Sequence, residues 1–173
     1  VLGTFVNSQP VFVGRPDPRL YTSASFTGAS AYSAFASTNA SRKQMIYLGS
    51  NGGFLHGFNA TSGVEEYAFM PNGVLRNQIA TFADSNYVHR YQVDGDPAVA
   101  EVYDTQLSRW RTILVGTMGR GGSSVFALDI TNPDSVQFLW ERTAAEIPAL
   151  GNALARPVIA QVADGDWRVV MGN

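Results

Sequence analysis

The chain has two histidines, His56 and His89, and no cysteine, so acid–base or nucleophilic chemistry would have to run through these imidazoles, carboxylates or hydroxyls. A nucleophilic serine in an elbow needs a Gly-x-Ser-x-Gly string, and the sequence contains none. His56 alternates with Leu55 and Gly57 as a strand residue does, and His89 stands between Tyr87 and Tyr91. Each reads as a packing histidine or one that makes a single hydrogen bond. Glu65 and Glu66 are neighbours in a strand pattern and therefore point to opposite faces, which excludes a convergent carboxylate pair.

Asp94-Gly95-Asp96 and Asp164-Gly165-Asp166 have the alternating oxygen donors that a hard cation takes. Neither completes a calcium loop, because Pro97 and Trp167 follow where further ligands belong; Asp and Gly here read as turn chemistry. Gly119-Arg120-Gly121-Gly122-Ser123 resembles a phosphate cradle in composition. No helix pattern follows it and no Gly-Lys-Ser/Thr closes it, so a flexible hairpin turn is expected. Trp110, Trp140 and Trp167 each mark a strand beginning or end, where aromatics wedge between packed sheets. Asn39-Ala40-Ser41 and Asn59-Ala60-Thr61 match the glycosylation acceptor pattern, which matters only in a eukaryotic secretory source. From the residues alone, no catalytic, cofactor-binding or metal-ligating residue is assigned.

The elements behind these residues repeat. Pro10-Val11-Phe12-Val13-Gly14 precedes Gln44–Gly49, the run Pro97–Tyr103 precedes Arg111–Gly116, and Pro157–Val162 precedes Trp167–Gly172. The first pair encloses a long insertion and the others are plain hairpins. Beyond the closing glycine the first two units continue alike: Ser50–Thr61 aligns with Thr117–Thr131, and Glu65–Met70 and Gln137–Glu141 supply a last strand. Four short strands in units of about 40 to 50 residues are the signature of propeller blades. The expected fold is all-β, a partial β-propeller with quinoprotein-like four-stranded blades. Residues 1–173 then form a single fragment of about two and a half blades, with short helical insertions near 30–38 and 74–83. Tyr32, Phe35 and Ala36 give the first helix its spacing behind Ser30 as N-cap; Leu75, Gln78, Ile79 and Phe82 give the second its face. Arg15–Thr27, with Pro16 and Pro18, reads as a surface loop. A ring of about 4 to 8 blades is needed to close a propeller, so the chain is expected to be part of a larger protein, and its open blade edges to associate.

Composition narrows the function classes. With 12 Lys plus Arg against 14 Asp plus Glu, and Lys43 the only lysine, there is no basic face for nucleic acid or an anionic membrane. Charged residues make up 15%, against about 25% in an average domain, while Ser, Thr, Asn and Gln fill 42 positions and Gly 17. That is a turn-rich β composition with enough apolar content, 45%, for a packed core. Absent cysteine excludes disulfides, thiolate zinc sites and the adjacent-cysteine bridge of some quinone-dependent dehydrogenases. No apolar run is long enough to span a membrane, and Val1 opens without Met or a leader, as expected of a processed chain or an excerpt.

Read as ordered strings, the sequence resembles the C-terminal propeller of the PilY family of type IV pilus biogenesis proteins and tip adhesins. The strings are Leu2-Gly3, Val6-Asn7-Ser8 and Pro10-Val11; Ile46 through Ala60; His89-Arg90-Tyr91 with Val93-Asp94-Gly95; Trp110 through Gly116; Val125 through Thr131 with Pro133; Leu139-Trp140-Glu141; and Trp167 through Asn173. The string around His56 is shared loosely with many quinoprotein-like propellers, whereas the ordered set, with the insertion carrying His89, is far more specific. Gly53 departs from a bulkier residue common in relatives.

The resemblance implies a non-catalytic protein exported to the bacterial outer membrane, cell surface or pilus tip. It would support pilus assembly, extension and retraction, and hence twitching motility and attachment. The implied partners are minor pilins, the pilus machinery, and host-cell or abiotic surfaces. Calcium binding in the family uses an Asp-rich loop expected beyond Asn173, so calcium belongs to the parent protein and no ligand is carried over here. The alternative is a periplasmic quinone-dependent oxidoreductase holding pyrroloquinoline quinone in a propeller channel. Against it stand the absent cysteines and the lack of a convergent acid, base and metal-ligand set.

Overall fold

A computed structural model describes residues 2–152 and 155–172. Val1 and Asn173, the ends of the predicted fragment, lie outside the described residues. Strands β1 (Val11–Val13), β2 (Met45–Gly49), β3 (Leu55–Asn59) and β4 (Glu65–Phe69) form one antiparallel sheet in chain order. Strands β5 (Ala98–Asp104), β6 (Arg109–Thr117), β7 (Ser124–Asp129) and β8 (Gln137–Thr143) form a second sheet of the same order. A hairpin of β9 (Val158–Gln161) and β10 (Trp167–Val170) follows.

The repeat seen in the strings reappears in the hydrogen-bond register. The β3–β4 ladder shifts between Gly57 and Phe58, and the β7–β8 ladder shifts at the matching step, between Ala127 and Leu128. Counting from these bulges, Tyr47↔Gly57 matches Val115↔Ala127, so Gly49 corresponds to Thr117. The sequence alignment of Gly49 with Gly116 is therefore one residue out, because the β6–β7 connection is longer than the β2–β3 turn. An aromatic covers a glycine across the strands in both units, Tyr47 on Gly57 and Phe126 on Gly116. A Cβ on Gly116 would stand 2.3 Å from the Phe126 ring, so the absent side chain is what lets the ring lie flat on the sheet.

Alternation along β6 and β7 sets the layers. Leu114, Phe126 and Leu128 face the first sheet and join Met45, Tyr47 and Leu55 in one core; Ile113, Val115, Val125 and Ala127 face the other way, toward Ile159 and Val169 of the hairpin. With both faces covered, the two central strands read as nearly unbroken apolar runs. A third, aromatic cluster gathers Tyr32, Trp110, Tyr21, Phe26 and Trp167. The Trp110 ring stacks on Tyr21 with centroids 5.0 Å apart, and its indole N–H donates to the Gly28 carbonyl at 2.8 Å. The loop predicted over 15–27 thus contributes Tyr21 and Phe26 to packing.

Both helices differ in detail from expectation. Helix α1 (Tyr32–Thr38) is preceded by a 3-10 turn over Ala29–Ala31 that contains Ser30. Ser30 is not the cap, since the turn itself leads the backbone into the helix and no side chain bonds its start. The second insertion forms helix α2 (Asn72–Asn77) and a separate 3-10 turn over Ile79–Ala83, broken at Gln78, whose φ of −133° is not helical. Gln78 is drawn aside to donate from Nε2 to the Gly121 carbonyl at 2.8 Å. The break overturns the predicted buried face: Val74 is fully buried, while Leu75, Ile79 and Phe82 stand exposed.

Candidate functional site

The chain's chemically capable side chains converge on the ends of the two sheets, where the segment Thr4–Gln9, the β2–β3 turn and the stretch His89–Asp96 meet. Antiparallel pairing of β2, β3 and β4 brings Leu48 opposite His56 and His56 opposite Ala68. The His56 ring lies between Ser50 Oγ, 2.8 Å from Nε2, and Glu65 Oε1, 2.6 Å from Nδ1. This line has the atom order of a nucleophile, base and orienting acid, and a reading based on local sequence motifs misses it because only strand pairing assembles it. Ser50, however, is 1% exposed and its Oγ also accepts the Gly52 N–H at 3.3 Å. Phe5, Phe54 and Phe58 surround the imidazole at centroid distances near 6 Å. The hydroxyl is buried and already bonded, and the line ties strands β3 and β4 to the β2–β3 turn.

His89 takes a different part. Its Nε2 meets Thr4 Oγ1 at 3.2 Å, while the Thr4 carbonyl accepts the Asn51 N–H at 2.8 Å. The two histidines therefore serve one seam from opposite sides and do not share a reacting centre.

Asp94 and Asp96 are long-range acceptors rather than simple turn residues. Asp94, buried, takes the backbone and side-chain N–H groups of Asn7, and Asp96 takes the Gln9 N–H at 2.7 Å. Gly95 is required between them, since a Cβ there would lie 1.8 Å from Thr117 Oγ1. The second triplet stays local: Asp164 and Asp166 both face Arg168, and Asp164 accepts the Asp166 N–H. Among the described residues no three His, Asp or Glu come close enough to hold a metal ion.

Gly119–Ser123 lie in the turn of the β6–β7 hairpin, as expected, and Gly119–Gly121 wind it into a 3-10 turn. Met118 beneath it is buried, and the loop packs edge-on against Gln92–Gly95, with the Asp94 and Gly95 N–H groups donating to the Met118 and Thr117 carbonyls at 3.3 Å each. A Cβ on Gly121 would be 1.8 Å from the Gln92 carbonyl oxygen; its glycines serve this close approach. A matching clamp runs from the second sheet. Glu141 on β8 accepts the Asn72 and Gly73 N–H groups at 2.7 and 2.9 Å and the Ser124 hydroxyl at 2.6 Å, so the carboxylate caps α2 from the neighbouring sheet.

Several charges elsewhere are also committed. Arg111 bridges Asp104 and Asp129 at 2.7 and 2.8 Å. Burial pushes the Asp129 carboxyl up, but the Thr131 hydroxyl and N–H with Arg111 outweigh it and hold the group below its ordinary value. Glu101 is raised by burial, partly offset by the Tyr32 hydroxyl and Arg42. Glu65 and Glu66 diverge as expected, Glu66 turning to Lys43 and Asn59. Asn59 accepts the Thr61 and Ser62 N–H groups and Asp129 accepts the Thr131 N–H, so the acceptor-like triplet at 59–61 is a turn shared by both units. Asn39, in the other triplet, donates to the Phe35 carbonyl. Trp140 and Trp167 line a cleft of about 270 Å³ between the second sheet and the hairpin.

Two consecutive four-stranded antiparallel sheets, packed face to face and followed by a third unit's hairpin, define a β-propeller architecture built from quinoprotein-like blades, with polar clamps at its seams. A model of the PilY1 beta-propeller domain matches residues 2–173, and the chain belongs to that family. It is 50% identical over 173 residues to a type IV pilus biogenesis factor PilY1 homolog of Xylella fastidiosa, and 38% identical over 175 residues to type IV pilus biogenesis factor PilY1 of Pseudomonas aeruginosa strain UCBPP-PA14. All of this chain is covered, but only 14% and 15% of those relatives. The crystal structure of the Pseudomonas aeruginosa PilY1 C-terminal domain is similar with a TM-score of 0.68 and 38% identity, over 82% of this chain and 26% of that one.

Proposed function

We propose that the chain is a rigid, non-catalytic stretch of about two and a half propeller blades within a type IV pilus biogenesis protein. In this reading the parent is exported to the outer membrane or cell surface and reaches the pilus tip. There it supports pilus assembly, extension and retraction, and attachment, with minor pilins, the pilus machinery and host or abiotic surfaces as partners. The observation that carries the reading is the match of the PilY1 propeller family along residues 2–173. The geometry supports it: the serine, histidines and carboxylates that sequence could offer for chemistry are turned to one another or to backbone N–H groups across seams between segments. Such clamps suit a scaffold that presents loops from a stiff sheet stack.

An immunoblot of sheared surface pili and cell fractions, with an antibody to this segment, tests the reading. The expected result is a band that co-purifies with pili and leaves that fraction when pilus assembly is blocked. A soluble periplasmic band indifferent to pili would overturn it.

A further inference from the structure

The insertion between β4 and β5 carries an apolar face on the outside. Leu75, Ile79, Phe82, Tyr87 and Val88 are 47, 43, 36, 39 and 73% exposed, and the Phe82 and Tyr87 rings lie 6.0 Å apart as one patch. The segment is nonetheless held firmly from beneath. Val74 is sunk in the core between the sheets, Glu141 caps the start of α2, and Gln78 bonds the Gly121 carbonyl. An amphipathic phase whose apolar side faces water while its other side is pinned is the arrangement of an interaction surface.

Charge selects the partner. Arg76 adjoins Leu75, Arg90 lies two residues after Val88 and donates its backbone N–H to the Tyr87 hydroxyl at 3.4 Å, and Arg120 lies 5.9 Å from the Tyr91 ring centroid. Among the described residues none of these three arginines has a carboxylate within 4 Å, as holds also for Arg15, Arg109 and Arg156, whereas Arg19, Arg42, Arg111, Arg142 and Arg168 are paired. Glu141 and Glu146 share a crevice with Arg76, but Glu141 is occupied by the α2 N–H groups and Glu146 by Thr143 and Arg142. Asp84 is the acidic residue within the patch, and it accepts the Asn86 N–H. Arg90 and Arg120, beside the aromatic rings and without a carboxylate partner, offer charge-assisted contacts to a negative partner.

We infer that this face docks an acidic amphipathic segment of a partner protein, apolar side chains against Leu75, Ile79 and Phe82 and carboxylates against the three arginines. The inference stands on the patch itself and does not depend on the pilus reading.

Two fluorescent amphipathic peptides with the same Leu/Phe stripe, one with Glu and one with Lys at its polar positions, give the test by anisotropy with the purified parent protein that carries this chain. The Glu peptide should bind at least about tenfold more tightly, and the advantage should shrink as salt rises. Arg90→Glu with Arg120→Glu should reverse the preference, and Ile79→Ser with Leu75→Ser should weaken binding about tenfold. If the serine variant melts early, the surface-charge variant alone decides. Equal binding of both peptides, no binding of either, or an unchanged preference in the charge variant would overturn the proposal. So would retention of anionic phosphatidylglycerol vesicles in preference to the Glu peptide, which would make the patch a membrane surface.

Discussion

Asn7 and Asp94 stand 87 positions apart and are joined by two hydrogen bonds to one carboxylate, from the Asn7 backbone N–H at 3.2 Å and its side-chain amide at 2.5 Å. With Gln9 on Asp96 and Ser8 Oγ accepting the Gly49 N–H at 3.0 Å, this pair binds the segment Thr4–Gln9 to the sheets through polar contacts, while Leu2, Phe5 and Val6 remain exposed.

Asp94→Ala should therefore release the segment without dissolving the sheets. Loss of a charged acceptor costs about 1.5 to 3 kcal/mol, and the Asn7 amide should exchange with solvent far faster while the β6 and β7 amides stay protected. Unchanged protection at Asn7 would show that the clamp contributes nothing.

Much of this was legible in the strings, and the reason is physical. Apolar runs such as Arg111–Gly116 and Val125–Asp129 must be strands packed on both faces, and the bulges at Gly57 and Ala127 confirm that the strings repeat as structure. The clamps were not legible. Asp94 finds Asn7, and Ser50 finds Glu65 through His56, only once strand pairing has folded the chain. The helix face differs from expectation because the spacing of Leu75, Ile79 and Phe82 assumes one continuous helix, and Gln78 breaks it.

The Ser50–His56–Glu65 line predicts three results. A fluorophosphonate reagent should leave Ser50 unlabelled in the folded chain, because the hydroxyl is buried and already bonded; a His56-dependent adduct at Ser50 would mark a reactive site and defeat the non-catalytic reading. His56→Ala should cost about 3 kcal/mol, since it leaves Ser50 and Glu65 without their partner and opens space among three phenylalanines. Ser50→Ala should cost about 1 kcal/mol, as read by urea denaturation.

Glycine substitutions should rank by what the new Cβ meets. Gly121→Ala drives a methyl into the Gln92 backbone, which cannot yield, and should abolish the pairing of the two segments. Gly116→Ala meets the Phe126 ring and should cost about 1 to 3 kcal/mol. Gly63→Ala meets nothing, but its φ of +73° makes it cost about 1 kcal/mol. Thermal melts in any other order would contradict these close approaches.

Acid should unfold the chain partly through Arg111. Asp104 is pushed up by burial, but the Leu107 N–H and Arg111 outweigh this, and Asp129 is likewise held low, so both have folded values below the unfolded one. Their stabilisation is present above about pH 3.9, the ordinary aspartate value, and is lost as pH falls through the folded values, because the unfolded chain then binds more protons. Glu101, raised by burial, has the opposite sign: it favours the fold when protonated, and that contribution is lost as pH rises through its folded value. Two depressed aspartates against one raised glutamate leave a net loss on acidification below pH 3.9. Arg111→Met should lower stability at neutral pH by about 2 kcal/mol, less than for a fully buried pair. It should also flatten the acid limb, since both aspartates then titrate nearer their unfolded values. Denaturant midpoints measured from pH 7 down to pH 2.5 provide the check, and parallel curves for the two proteins would show that Arg111 does not hold these carboxylates low.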